Sequence, residues 1–155
     1  MTKESDELKK MKNAEFTDAE FEKHKKLPIY KQSLLIRRLT KAVVEPIDED
    51  KDELNLKQLM LENAYMISAK IAGAEAGELY SYRLENAFSI KRYANELLAE
   101  ATLCDTKKMG NHKFLQALRD ELETLRLMFI EWVDSFDRSK DVEDPWTLWQ
   151  DYGGE

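Results

Sequence analysis

Residues 112–139 read HKFLQALRDELETLRLMFIEWVDSFDRS and carry the most regular pattern in the chain. Large apolar side chains recur there at alternating intervals of three and four residues: Leu115, Leu118, Leu122, Leu125, Phe129, Trp132 and Phe136. This spacing places them on one face of an α-helix, whereas the side chains of a β-strand alternate between two faces. Gly110 interrupts the chain just before this segment, and Asn111 is predicted to cap the new helix.

Three earlier segments have apolar faces of the same helical type. In residues 77–104 the predicted face is Ala87, Ile90, Ala94, Leu97, Ala101 and Cys104. In residues 53–75 it is Leu56, Met60, Asn63 or Ala64, Ile67, Ile71 and Ala74. In the segment after Pro28 it is Ile29, Leu35 or Ile36, Leu39 and Val43. Proline suits the first turn of a helix, and Pro46 is expected to end this one. Asp52 is expected to cap the helix of residues 53–75. The sequence therefore predicts an all-α, antiparallel up-down-up-down four-helix bundle with a short helix before it and a short helical tail after it.

The N-terminal extension comprises residues 1–26 and precedes the bundle. Residues 1–13 are expected to be frayed. Thr17 and Glu20 have the spacing of a capping box, which predicts a short helix over about residues 18–26.

Residues 140–155 are predicted to form an acidic tail, separate from the bundle of residues 27–139. Trp146, Trp149 and Tyr152 are three residues apart and are expected to project from one side of a short helix. Aromatic anchors at this spacing suit docking onto another helical surface. Three surfaces are candidates: the chain's own bundle, a neighbouring subunit and another protein. We favour the chain's own bundle.

The composition indicates one soluble domain. A chain of 155 residues buries a core without disulfides or metal, and the single cysteine argues against a disulfide framework. The sequence has no apolar run of membrane-spanning length and no signal-peptide pattern, so we expect a cytoplasmic protein with no membrane partner. The net charge of −7 is concentrated in residues 45–53 and in the tail. This acidity disfavours nucleic acid as a partner without excluding it.

Candidate catalytic groups are sparse. His24 and His112 lack the glutamate three residues earlier that di-iron bundle sites use, and we interpret both as surface or capping histidines. Phosphate-binding loops, zinc-ligand spacings and nucleophile elbows are missing from the sequence. We therefore predict a non-enzymatic protein and assign no catalytic, metal-binding or cofactor-binding residue. Two pairs of acids at helical spacing are interpreted as parts of solvated faces: Glu75 with Glu78, and Glu96 with Glu100.

Basic residues provide a candidate nucleic-acid surface: Arg37, Arg38, Lys41, Lys91, Arg92, Lys107, Lys108 and Lys113. If they share a face, they are placed to contact phosphates. A solvated helix face of mixed charge is the favoured alternative. Four aromatic residues are candidates for base stacking, although packing in the core or against another subunit is favoured: Tyr80, Tyr82, Phe88 and Tyr93.

Residues 57–76, KQLMLENAYMISAKIAGAEA, resemble the second helix of the four-helix-bundle proteins encoded by 23S rRNA intervening sequences. The helix core of that family has the form S-I-P-x-N-I-A-E-G. Residues 27–41 are similar to the family's first helix, and Trp132 lies where the Avd-like accessory proteins of diversity-generating retroelements also have a tryptophan. Within the core, Ile67, Ile71 and Ala72 agree with the family, whereas Ser68, Lys70 and Gly73 replace its Pro, Asn and Glu.

The resemblance implies a homo-oligomer, typically a pentameric ring of bundles, and offers no catalytic residues. Avd-like proteins bind nucleic acid and a reverse transcriptase. Our first hypothesis is therefore an oligomeric binding platform that is accessory to a nucleic-acid-processing protein such as a reverse transcriptase. The alternatives are direct RNA or DNA binding through the basic residues, and a small enzyme or ligand carrier that uses the bundle interior.

Overall fold

The computed structural model of the chain describes residues 3–13, 23–143 and 145–146. This part of the chain is all-α, as predicted, and contains no strand. Two short 3₁₀ turns lie at Lys23–Lys26 and Glu49–Lys51. The α-helices are α1 (Lys3–Asn13), α2 (Pro28–Val44), α3 (Leu56–Glu75), α4 (Tyr80–Thr106) and α5 (His112–Asp134).

The four long helices surround one apolar core. Helix α3 packs against α4, α2 packs against both α3 and α5, and α4 contacts α5. The predicted apolar faces line this core, and their members are buried except for Ala94, Phe129 and the alternative residue Leu35, which are partly buried. Ile36 is fully buried while Leu35 is partly buried, and both Asn63 and Ala64 are buried. The helical periodicity therefore located the core correctly.

The helix starts of α2 and α5 follow the predicted signals, and α4 begins at Tyr80, three residues after the start of the predicted segment. Pro28 occupies the first turn of α2, and the side chain of Asn111 accepts a hydrogen bond from the backbone N–H of Phe114 at 3.2 Å. Helix α3, however, begins at Leu56, three residues later than predicted. Asp52 still binds its N-terminus, because its carboxylate accepts hydrogen bonds from the N–H groups of Leu56 at 2.9 Å and Lys57 at 3.0 Å.

The expectation that residues 1–13 are frayed is wrong for Lys3–Asn13, which form α1. Leu8 and Met11 pack against the core. The carbonyl oxygen of Met11 also accepts a hydrogen bond from Arg38 Nη1 at 3.3 Å. Burial of these two apolar side chains and this hydrogen bond stabilise a helix that is too short to persist alone in water.

The helix predicted over residues 18–26 is only partly described by the structure. Lys23–Lys26 form a single 3₁₀ turn and not an α-helix. Thr17 and Glu20, which form the predicted capping box, lie outside the described residues.

Glu75 does not lie on a solvated face, contrary to the sequence interpretation. Its Oε1 accepts a hydrogen bond from Trp132 Nε1 at 2.8 Å and pairs with Arg83 Nη2 at 2.5 Å. The Arg83 guanidinium lies 4.2 Å from the centre of the Phe136 ring. One carboxylate thus connects the end of α3 to the start of α4 and the end of α5.

Glu100 is also buried, with 8% of its surface exposed, so its assignment to a solvated face is wrong. Asn63 Nδ2 donates a hydrogen bond to Glu100 Oε1, while the second carboxylate oxygen has no hydrogen-bond partner among the residues that the structure describes. Burial raises the pKa of Glu100, and the nearby Glu96 raises it further, while the hydrogen bond from Asn63 opposes the shift. The folded protein therefore binds a proton at Glu100 more tightly than the unfolded chain does.

Replacing Glu100 with glutamine is expected to raise the free energy of unfolding at pH 7 by about 1 kcal/mol. Because the folded-state pKa is raised, the wild-type carboxyl stabilises the fold at low pH and loses that contribution as the pH rises from about 4.5 towards neutrality. Urea unfolding at several pH values measures the difference, which should shrink at pH 4. Glu131→Gln, at an exposed position of α5, is the control. An identical pH dependence for wild type and Glu100→Gln would contradict this account.

Candidate protein-binding surface

A groove runs between α4 and α5, which make the least extensive contact among the neighbouring pairs of long helices. It encloses about 400 Å³, and its walls are mainly apolar. The lining residues are Ile90, Lys91, Ala94, Asn95 and Leu98 of α4, with Arg119, Leu122, Glu123, Leu125, Arg126, Phe129 and Ile130 of α5.

The groove follows the edges of the two apolar faces that the sequence predicted. Ala94 and Phe129 belong to those faces and are only partly buried, because the opposite helix does not cover them. Beside them, Leu98 is 41% exposed, and Ile130 is exposed as well. Apolar surface bordered by charged side chains is typical of protein contact sites.

The charged border of the groove has an excess of positive charge. Arg126 binds Glu123 through two hydrogen bonds of 2.6 and 2.9 Å, which lower the pKa of the Glu123 carboxyl. Arg119 Nη1 lies 3.1 Å from Asp105 Oδ2 and likewise lowers the pKa of that carboxyl. Lys91 adds a further positive charge on the α4 side. The groove therefore favours an acidic partner.

A second groove of about 400 Å³ lies between α2 and α3 and gathers Arg37, Arg38 and Lys41. Leu61 and Tyr65 of α3 form its other wall. The Arg37 guanidinium lies 5.0 Å from the centre of the Tyr65 ring, within cation–π range. The structure thus brings three of the eight predicted basic residues together beside an exposed aromatic ring.

The other five basic residues lie elsewhere. Lys107 and Lys108 line a cavity together with the acidic residues Asp52 and Glu53. Lys91 lies in the α4–α5 groove. The remaining two have local partners: Arg92 lies over the ring of Tyr93, and Lys113 contacts Ser5 and Glu4 of α1. The eight residues therefore do not gather at one site.

The chain beyond α5 is fixed to the start of α4. The carbonyl oxygen of Lys140 accepts a hydrogen bond from the N–H of Tyr80 at 2.7 Å. Asp141 Oδ1 accepts hydrogen bonds from the Ser81 hydroxyl at 2.7 Å and the Ser81 N–H at 3.3 Å. Leu79, at the N-cap position of α4, provides no side-chain cap, so Asp141 supplies one from across the chain.

Trp146, the first predicted anchor of the tail, lies in a turn with 81% of its surface exposed. The other two anchors, Trp149 and Tyr152, lie outside the described residues, as does most of the predicted tail helix.

The described residues also bear on metal binding, thiol reactivity and membrane spanning. Among residues 3–13, 23–143 and 145–146, no three His, Cys, Asp or Glu side chains are grouped closely enough to hold a metal ion. Burial raises the pKa of the Cys104 thiol to about 11, so the thiol stays protonated at neutral pH and is a weak nucleophile. None of the α-helices in the described ranges combines the length and apolar character needed to cross a bilayer.

The sequence interpretation did not single out Leu98, Ile130, Leu61 or Tyr65 as surface residues. All four are large side chains on helices but lie off the predicted core faces. Their position off the core face could have identified them from the sequence, because an apolar residue outside the periodic face of a helix points to solvent or to a partner. The pairing of two helix faces along one groove depends on how the helices pack. The pattern of a single helix does not reveal that packing.

No protein-family model matches the chain, and no curated protein is similar to it at a significant level.

Proposed function

We propose that the chain is a non-enzymatic helical-bundle protein that serves as a binding platform for another protein. The proposed partner is a nucleic-acid-processing protein such as a reverse transcriptase, and the chain itself is proposed to form a homo-oligomer. The resemblance of residues 27–41 and 57–76 to the intervening-sequence and Avd-like proteins supports both parts of the proposal.

The proposal includes an antiparallel up-down-up-down order of the four long helices. Contacts between helix ends support it. The start of α5 meets the end of α2, where the Asn111 N–H donates to the Val43 carbonyl oxygen at 3.0 Å. The end of α4 meets the start of α3, where Cys104 Sγ lies 3.5 Å from Met60 Sδ. At the opposite end of α3, Glu75 binds residues of α4 and α5.

The observation that carries the proposed function is the apolar groove between α4 and α5. A groove of this size exposes Leu98, Phe129 and Ile130 to water in a single chain. Burying such side chains against a partner contributes roughly 25 cal/mol per Å² of apolar surface. The positive border of the groove would at the same time select an acidic partner surface.

Light scattering on the purified full chain tests the oligomeric part of the proposal. A pentamer of five 18.2 kDa subunits, about 91 kDa in total, is expected. The measurement is made over a range of protein concentrations, because a stable ring keeps its mass on dilution. A mass of 18.2 kDa at all concentrations would contradict the proposed assembly.

A second candidate function is nucleic-acid binding, which the α2–α3 groove favours. Arg37, Arg38 and Lys41 provide cations for phosphates, and Tyr65 provides a ring for a base. Binding of this kind would weaken steeply as salt rises. The acidic net charge of −7 ranks this candidate below the protein platform.

A further inference from the structure

A continuous stripe on α4 connects the anchored start of the tail with the α4–α5 groove. The anchor lies at Tyr80 and Ser81. From there, side chains at intervals of three or four residues follow one face of the helix. They are Tyr80, Leu84, Phe88, Lys91, Asn95 and Leu98, of which the last three line the groove.

The tail is long enough to follow this stripe. On α4, the distance from Ser81 to Ile90, at the near end of the groove, is about 14 Å, and the distance to Leu98 is about 26 Å, at 1.5 Å per residue. Residues 142–155 follow the anchor at Asp141. These residues span about 21 Å as a helix and about 46 Å when extended. As a helix, the tail reaches only the near end of the groove, because Trp149 then lies about 12 Å beyond Asp141. The extended conformation carries Trp149 about 26 Å, as far as Leu98.

The tail and the groove are complementary in charge and in apolar character. Residues 142–155 contain four acidic residues and no basic residue. The groove is lined by three basic side chains and one acidic side chain. Arg126 pairs with Glu123 and Arg119 with the nearby Asp105, so Lys91 supplies the excess positive charge. Trp149 and Tyr152 in the tail supply large aromatic groups for the apolar walls around Leu98 and Ile130.

We propose that the C-terminal segment, residues 147–155, docks in the α4–α5 groove of its own chain. The inference rests on the proposed function in one respect, because the groove is the surface that we assign to the protein partner. The docked segment covers the apolar walls when no partner is bound.

Chymotrypsin digestion of the full chain tests this proposal, because the protease cleaves after aromatic residues in exposed segments. Because Trp146 is exposed and is itself a cleavage site, mass spectrometry follows the rates of first cleavage after Trp149 and Tyr152 in chains that are still uncut after Trp146. Leu98→Glu places a negative charge in the groove wall and is expected to raise both rates at least about fivefold, since cleavage follows the undocked population. Leu59→Glu is the matched control on α3, because Leu59 is 42% exposed and Leu98 is 41% exposed. It should leave the rates within about twofold of wild type.

A second variant, Trp149→Ala, removes an anchor without altering the bundle. It is expected to raise cleavage after Tyr152 by a factor similar to that of Leu98→Glu. Equal rates in the wild type, Leu98→Glu and Trp149→Ala would overturn the proposal. Protection that increases with protein concentration would also overturn it, because the tail would then occupy a second copy of the chain.

The inference and the proposed function fail separately. A monomeric mass together with a protected tail would contradict the proposed oligomer and support the docked tail. An oligomeric mass together with an unprotected tail would support the proposed oligomer and contradict the docked tail.

Discussion

Replacing Gly110 with alanine is expected to lower the free energy of unfolding by about 2–4 kcal/mol. Gly110 has a φ of +76°, in the left-handed region that side chains other than glycine rarely adopt. A β-carbon at this position would lie 2.8 Å from the carbonyl oxygen of Val43, which is closer than a non-bonded contact allows. That oxygen also accepts the hydrogen bond from the Asn111 N–H, so alanine would displace the turn that joins α4 to α5. Urea unfolding followed by circular dichroism measures the loss.

Gly77→Ala is the control for this prediction. Gly77 lies between α3 and α4, has no positive φ, and would place its new β-carbon in open space. The substitution is expected to leave the free energy of unfolding unchanged or to raise it by up to about 1 kcal/mol, because alanine restricts the unfolded chain. Equal stability of the Gly110→Ala and Gly77→Ala variants would show that the turn does not constrain the fold.

The helices and the core were predictable because their signal is local and repeated. The alternation of three and four residues in α5 identifies Leu118 and Leu125 as core residues without any knowledge of their partners. The predicted start of α3 was less accurate. Asn55 adopts a left-handed conformation, and Asp52 binds the first turn of the helix from four residues before it. Such a cap depends on the path of the loop, which periodicity does not describe.

Polar groups were harder to place. Glu75 and Glu100 have the spacing of a solvated helix face, yet Glu75 binds Trp132 and Glu100 binds Asn63. In each case the partner lies on another helix, so one helix viewed alone shows only an exposed acid. The docking of α1 was missed for the same reason, because its contacts are made with α2 and α5.

The candidate site was only partly predictable. The sequence identified Arg37, Arg38 and Lys41 as basic neighbours, and about one turn of α2 brings them together. Their grouping with Tyr65, and the groove beside Leu98, depend on how neighbouring helices pack. The aromatic tail was visible in the sequence, whereas its anchoring through Asp141 was not.

Leu98→Glu is expected to reduce partner binding at least about tenfold. Leu98 projects into an apolar groove, so glutamate would bring a charge into the surface that the partner is proposed to desolvate. The positive border of the groove selects an acidic partner, which a new carboxylate would also repel. Because Leu98 is 41% exposed and glutamate favours helices, the bundle itself should tolerate the change.

The most direct test of the α4–α5 groove as the binding surface is quantitative co-purification from the native host. Tagged wild type, Leu98→Glu and Leu59→Glu chains are recovered under identical conditions, and bound proteins are quantified by mass spectrometry. We expect a nucleic-acid-processing enzyme to be recovered equally with wild type and Leu59→Glu and at least about tenfold less with Leu98→Glu. Equal recovery of that enzyme with Leu98→Glu, or recovery of no such enzyme with the wild type, would contradict the account.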